Sequence, residues 1–100
     1  MDIKCPGSGE SHRNHWENVA QLTPRDEVKF VILDRHDYEW AVSILRKYRL
    51  MDRCRAVLFS PAWQQIDPAV LAEWIVSDRL PIRLQLPLHK ILWPHVTRGK

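Results

Sequence analysis

Asp2 and Lys4 stand just ahead of Pro6-Gly7-Ser8-Gly9, so a carboxylate, an ammonium and a turn with open backbone N–H groups meet at the start of the chain. Proline, glycine and serine at that density interrupt regular structure and leave main-chain donors available. The set suits a ligand with hydroxyls and a charged end; an ordinary surface pair beside an ordinary turn is the plainer alternative. A second group is Phe59-Ser60-Pro61-Ala62. A third is Arg83, Gln85 and His89, which alternate with Ile82, Leu84, Leu86 and Leu88 and therefore share one face of a strand. Polar groups on such a face need partners or a ligand, because leaving one buried and unpaired costs about 1–3 kcal/mol. A simply wet edge strand is the alternative.

Other chemistries are thinner. Cys5, His12, His15 and Cys54 are zinc-ligand types, but no Cys-x-x-Cys pair exists and Cys54 is remote from the rest. Ser8, Asp34 and His89 have the residue types of a hydrolytic triad, yet Pro6-Gly7-Ser8-Gly9 does not form a Gly-x-Ser-x-Gly elbow. Arg46-Lys47-Tyr48-Arg49, with Arg53 and Arg55, could meet phosphate, although basic residues at a helix end also offset its dipole.

These residues must be placed by the elements around them. Residues 1–5 read as the end of a strand and residues 14–22 as a short helix, stopped by Thr23-Pro24-Arg25-Asp26. Residues 28–33 form a nearly continuous β-favouring run of the kind that is covered on both faces in a parallel sheet. Asp34 is placed as an N-cap, with Asp37 in the first turn, and Ala41, Ile44, Leu45 and Tyr48 then recur at helical spacing. A second strand, 56–59, runs into Ser60-Pro61, and Asp67-Pro68 opens a helix whose apolar face is Leu71, Trp74 and Ile75. Leu80-Pro81 ends that helix, and residues 82–88 read as the last strand. Strands alternating with helices predict an α/β fold of parallel βα units, and in such folds ligands sit beyond the carboxyl ends of the strands.

Composition narrows the class. The chain has 100 residues, enough for one small core or part of a larger one. Nothing approaches a membrane-spanning apolar run, so no membrane partner is expected. A net charge of +3, from 15 basic and 12 acidic residues without a basic stripe, gives no case for nucleic acid. Two cysteines make no disulfide scaffold, and a reduced, cytoplasmic setting is the expectation. Five tryptophans must share buried surface or cover a site.

Taken in order, residues 2–10, residues 26–32, Phe59-Ser60-Pro61, residues 80–93 and the closing Arg98-Gly99 resemble the C-terminal half of 7-carboxy-7-deazaguanine synthase. The resemblance implies the C-terminal part of a reduced radical-SAM partial barrel. It also implies conversion of 6-carboxy-5,6,7,8-tetrahydropterin to 7-carboxy-7-deazaguanine by S-adenosylmethionine radical chemistry, on the route to queuosine. It places S-adenosylmethionine against Asp2, Ile3 and Lys4 and against Phe59, Ser60, Pro61 and Ala62. It brings His89 and the terminal carboxylate of Lys100 near the pterin.

The departures are equally specific. The family holds a [4Fe–4S] cluster on three closely spaced cysteines, and its magnesium ligand, in its N-terminal half; Cys5 and Cys54 cannot replace them. Pro87 stands where a polar residue is common. The expectation is therefore a single partial domain over residues 1–100, inactive by itself, arising as a fragment, a truncated product or one partner of a split enzyme. A complementary N-terminal half, or a homodimer partner, would complete it. The alternatives are a stand-alone binding module that pairs through the sheet edge near Met1, and a small zinc protein.

Overall fold

A computed structural model describes residues 1–14 and 16–86. At its centre is β2 (Glu27–Ile32), in which Val28, Phe30 and Ile32 are fully enclosed while Glu27, Lys29 and Val31 are half-buried. β3 (Ala56–Pro61) pairs with it in parallel along its whole length. Two short strands flank this pair, β1 (Asp2–Ile3) beside β2 and β4 (Arg83–Leu84) beside β3, both parallel. The order across the sheet is β1-β2-β3-β4. Each strand thus lies beside its neighbour in sequence, and right-handed crossovers then put every connection on one face.

Two helices cover that face. α1 (Arg35–Lys47) starts where the extended backbone of Asp34 lets its carboxylate accept the N–H of Asp37, and ends with Arg46 and Lys47 in its last turn. α2 (Pro68–Ser77) starts in the same way, with Asp67 accepting the N–H of Ala69 and Pro68 in the first turn. Tyr38, Ala41, Ile44 and Leu45 from α1 and Leu71 and Ile75 from α2 pack on Ile3, Phe30 and Phe59 of the sheet. The aromatic rings meet edge to face: Phe30 with Phe59 at 5.4 Å and Tyr38 with Phe59 at 5.9 Å between centroids.

The expected α/β class and the order of its elements agree with this architecture, and two details differ. Residues 14–22 were expected to be helical, but here 3-10 turns occupy Trp16–Gln21. The segment is too short to propagate an α-helix and is held by side-chain packing, with Trp16 stacked on Tyr48 at 5.2 Å and 7°. Of the strand expected over 82–88, residues 87 and 88 lie outside the described residues, and among the described ones β4 covers Arg83–Leu84. The ladder runs on as far as the N–H of Gln85 donating to the Phe59 carbonyl at 2.9 Å. The next rung would need an N–H from residue 61, and Pro61 has none. Among the described residues, three of the tryptophans share core surface, as expected of them. Trp16, Trp40 and Trp74 pack against the helix-side core, and Trp63 sits in the loop after β3.

Candidate functional site

Because all four strands run the same way, their carboxyl ends share one edge of the sheet, and the described segments after β1 and β3 lie toward it. Register places Asp2, Lys29, Leu58 and Arg83 in one row across the sheet, and Ile3, Phe30, Phe59 and Leu84 in the next. The second row faces the helices. The first faces away, toward a shallow hollow of about 360 Å³ lined by Met1, Asp2, Glu27, Lys29, Leu58 and Gln85. One step further Val31 pairs with Ser60, while Lys4 follows Ile3.

This geometry sorts the expected cofactor residues. Asp2, Lys4 and Ser60 alternate onto the open face. Ile3 and Phe59 are 1% and 0% exposed, so their side chains belong to the core, and their main chains are engaged in the sheet, the Phe59 carbonyl accepting the Gln85 N–H. Pro61 is buried and Ala62 half-buried, with the Ala62 N–H donated to Ile32 at 2.8 Å. β1 and β3 are separated by β2, so their ends lie roughly 10 Å apart. His89 and Lys100 fall outside the described residues, as do Pro87, Trp93 and His15.

Beyond the end of β3 the loop encloses a cavity of about 310 Å³ whose walls include Pro61, Ala62, Trp63, Gln64, Ile66 and Pro68. Its lining is largely apolar with an indole and two amide side chains close by, a surface on which a planar base can lie. Gln64 holds the left-handed conformation there, at φ 62°.

The turn after β1 is more tightly built than its composition suggests. Pro6–Ser8 form one 3-10 turn, closed by Gly9 at φ 74°, where a side chain would be strained. The Ser8 hydroxyl donates to the Cys5 carbonyl at 2.7 Å and accepts the Glu10 N–H at 3.1 Å. Asp37, fully buried, accepts the N–H of Gly7 at 2.8 Å and that of Leu33 at 3.1 Å. Asp2 and Lys4 form an ion pair at 2.9 Å with each side chain about half exposed, an arrangement worth little by itself.

The competing chemistries do not assemble among the described residues. Cys5 and Cys54 are free and buried. The metal-ligating types brought within reach of one another are instead Asp34, His36 and Asp37. There Asp34 is engaged in capping α1, and both oxygens of Asp37 hold main-chain amides. Ser8 is committed to its own turn. In the basic cluster, Arg53 donates to the Tyr48 carbonyl at 2.7 Å, Arg49 pairs with Asp52 at 3.5 Å, and Arg55 pairs with Glu27. The free edge of β1 is also partly engaged: the Asn14 side chain accepts the Lys4 N–H at 2.8 Å and donates to the Lys4 carbonyl at 2.9 Å, as a neighbouring strand would.

No family model matches the sequence, and no solved structure matches it. Curated proteins do. The chain is 41% identical, over 99% of its length, to a 7-carboxy-7-deazaguanine synthase of Koribacter versatilis, and 40% identical, again over 99%, to one of Chlorobaculum tepidum. A protein of the same name from Leptospira interrogans is 37% identical over 93% of the chain. The match is to the 7-carboxy-7-deazaguanine synthases. It is partial on their side: the chain spans 49%, 46% and 40% of those three relatives, about half their length. Two segments on which the resemblance to 7-carboxy-7-deazaguanine synthase rests, residues 2–10 and Phe59-Ser60-Pro61, thus lie at one edge of one parallel sheet. Sequence reasoning missed Asp37 as the link between the turn and β2, because its partner Gly7 stands 30 residues away. It also passed over Asn14, for which no motif exists, and gave Trp63 no special place, although an indole following a strand end was a readable signal.

Proposed function

We infer that this chain is one half of a 7-carboxy-7-deazaguanine synthase, the half that supplies strand ends to a shared cofactor and substrate site. The observation that carries the reading is the match along 99% of the chain to relatives of that name. The parallel sheet supports it, with a polar open face and two expected binding segments at its carboxyl edge. In this reading the enzyme is a lyase of the radical-SAM class acting on 6-carboxy-5,6,7,8-tetrahydropterin, and residues 1–100 are one partial domain of it.

The residues present fit S-adenosylmethionine by their donor set. Asp2 and Lys4 offer opposite charges to an amino-acid end and to ribose hydroxyls. The Ser60 hydroxyl offers a hydrogen bond, Ile3 and Phe59 shape the two strand ends from within the sheet, and the cavity beyond Pro61 and Ala62 accepts the adenine. When bound, that cofactor supplies the radical chemistry. His89 and Lys100 are assigned to the pterin. The [4Fe–4S] cluster does not fit this chain. Its cysteines number two, both turned into the core, whereas such a cluster needs several thiolates converging on one loop. No step through the cluster is assigned to these residues. The cluster and magnesium are placed on a complementary N-terminal half, and the chain alone is expected to be inactive.

Calorimetry with S-adenosylmethionine tests the reading, using the chain alone and then mixed with the N-terminal half of a relative. Heat of binding in the mixture, weaker or absent for the chain alone, is the expected result. No heat in either case overturns the assignment of a cofactor cradle to these strand ends.

A further inference from the structure

Asp37 has no exposed surface, yet it carries a carboxylate that nothing in the proposed chemistry uses. Its two oxygens serve two different loops: Oδ1 accepts the N–H of Gly7 and Oδ2 that of Leu33, at 2.8 and 3.1 Å. Its own N–H is donated to Asp34 at 2.9 Å, which fixes the side chain at the start of α1. Gly7 belongs to the turn after β1, and Leu33 directly follows β2, so the carboxylate spans the carboxyl ends of two neighbouring strands. The approach is close enough to dictate the residue at position 7. A Cβ added there would stand 2.5 Å from Oδ2 and 3.0 Å from Oδ1, nearer than atoms pack. Hydrogen bonds from amides to an ionised carboxylate are among the stronger ones, and the helix N-terminus favours the same charge.

We propose that Asp37 is a positioning residue that locks the Gly7 turn onto the end of β2, so that the ends of β1 and β2 present one preformed surface to the ligand. The proposal rests on the cofactor reading above. Being buried, Asp37 does not touch the ligand; it acts through Gly7 and through Lys4, which precedes the turn. Asparagine cannot substitute, because its amide nitrogen would face a second donor where an acceptor is required.

The test uses the chain mixed with the complementary half, comparing the unaltered chain with Asp37→Asn, Gly7→Ala and Ile44→Val. Ile44 lies in the core of α1 beyond the clamp and controls for loss of stability. Three quantities are read: the dissociation constant for S-adenosylmethionine, the melting temperature, and the amide proton shifts of Gly7 and Leu33. Asp37→Asn is expected to weaken binding at least tenfold and to move both amide signals upfield. Ile44→Val is expected to lower the melting temperature and leave affinity within twofold. Gly7→Ala attacks the clamp from the opposite side and decides the matter if Asp37→Asn does not fold. Cofactor binding by the unaltered chain together with undiminished affinity in a folded Asp37→Asn or Gly7→Ala variant overturns the positioning role alone. No binding by the unaltered chain overturns the cofactor reading and the positioning role together, so the two failures are distinguishable.

Discussion

Cys5 follows directly on the strand end that carries Lys4, yet its thiol points into the core and is 1% exposed. Burial pushes its pKa up to about 12, with the charges of Asp37, Asp2 and Asp34 adding to the effect. Burial also raises that of Cys54, whose sulfur lies 3.1 Å from the Leu50 carbonyl. Both thiols are therefore poor nucleophiles in the folded chain. Iodoacetamide at pH 8 is expected to modify them no faster than the chain unfolds, and a labelling rate equal to that of free cysteine contradicts this. The sign of the pH effect follows. A thiol whose pKa is raised by folding stabilises fully below its unfolded value near 8.5, and that contribution is lost as pH rises toward the folded value. Stability measured by urea unfolding should thus fall between pH 8 and 10, and Cys5→Ala should flatten the slope. The type of each of these residues was legible in sequence, and the alternation of Asp2, Ile3, Lys4 and Cys5 even held their facing. The clamp at Asp37 was not, since a carboxylate three residues after an N-cap reads as a dipole contact until the distant Gly7 is brought to it.

At the scale of elements, the helix starts were the most legible features, because a capping side chain acts on its own neighbours and leaves a local signature. Asp34 holds its N-terminal amide as expected, and Asp67, expected to open its helix with Pro68, does so through the same kind of bond. Removing either oxygen costs about 0.5–2 kcal/mol in general. Asp67→Ala should fall near the middle of that range. Asp34→Ala should reach about 2 kcal/mol or more, because Asp34 also steadies the backbone from which Asp37 grips two loops. Chemical denaturation of the two variants checks the ranking, and equal losses would show that the clamp does not depend on its cap. Strand lengths were less legible. Alternation reads Gln85 and Leu86 as strand past the point where the partner can answer, since Pro61 on β3 imposes the limit. The segment 14–22 differs for a related reason: a run this short is governed by the ring of Tyr48, against which Trp16 stacks.

Across the whole molecule, the sheet divides into two unlike faces, and this division was readable only in part. Helix spacing predicted what the covered face would meet, whereas the row of Asp2, Lys29, Leu58 and Arg83 depends on register, which no single strand contains. The covered face concentrates the stability. Phe59 contacts both Phe30 and Tyr38 and is wholly buried, so Phe59→Ala should cost about 3–5 kcal/mol. Set against a typical total of about 5–15 kcal/mol, that loss leaves a chain of this size close to unfolding, to be seen as a collapse of the urea midpoint. A midpoint shifted only slightly would show that the core lies elsewhere. Strand order carries a consequence of another kind. Among the described residues each strand lies beside the one made just before it, so each new βα unit finds its seat already built as it leaves the ribosome. Each pairing still closes a span of 25 to 29 residues, as Leu58 with Arg83 and Glu27 with Ala56 show, which slows folding relative to local contacts, but the order lets the sheet be laid down as it is synthesised.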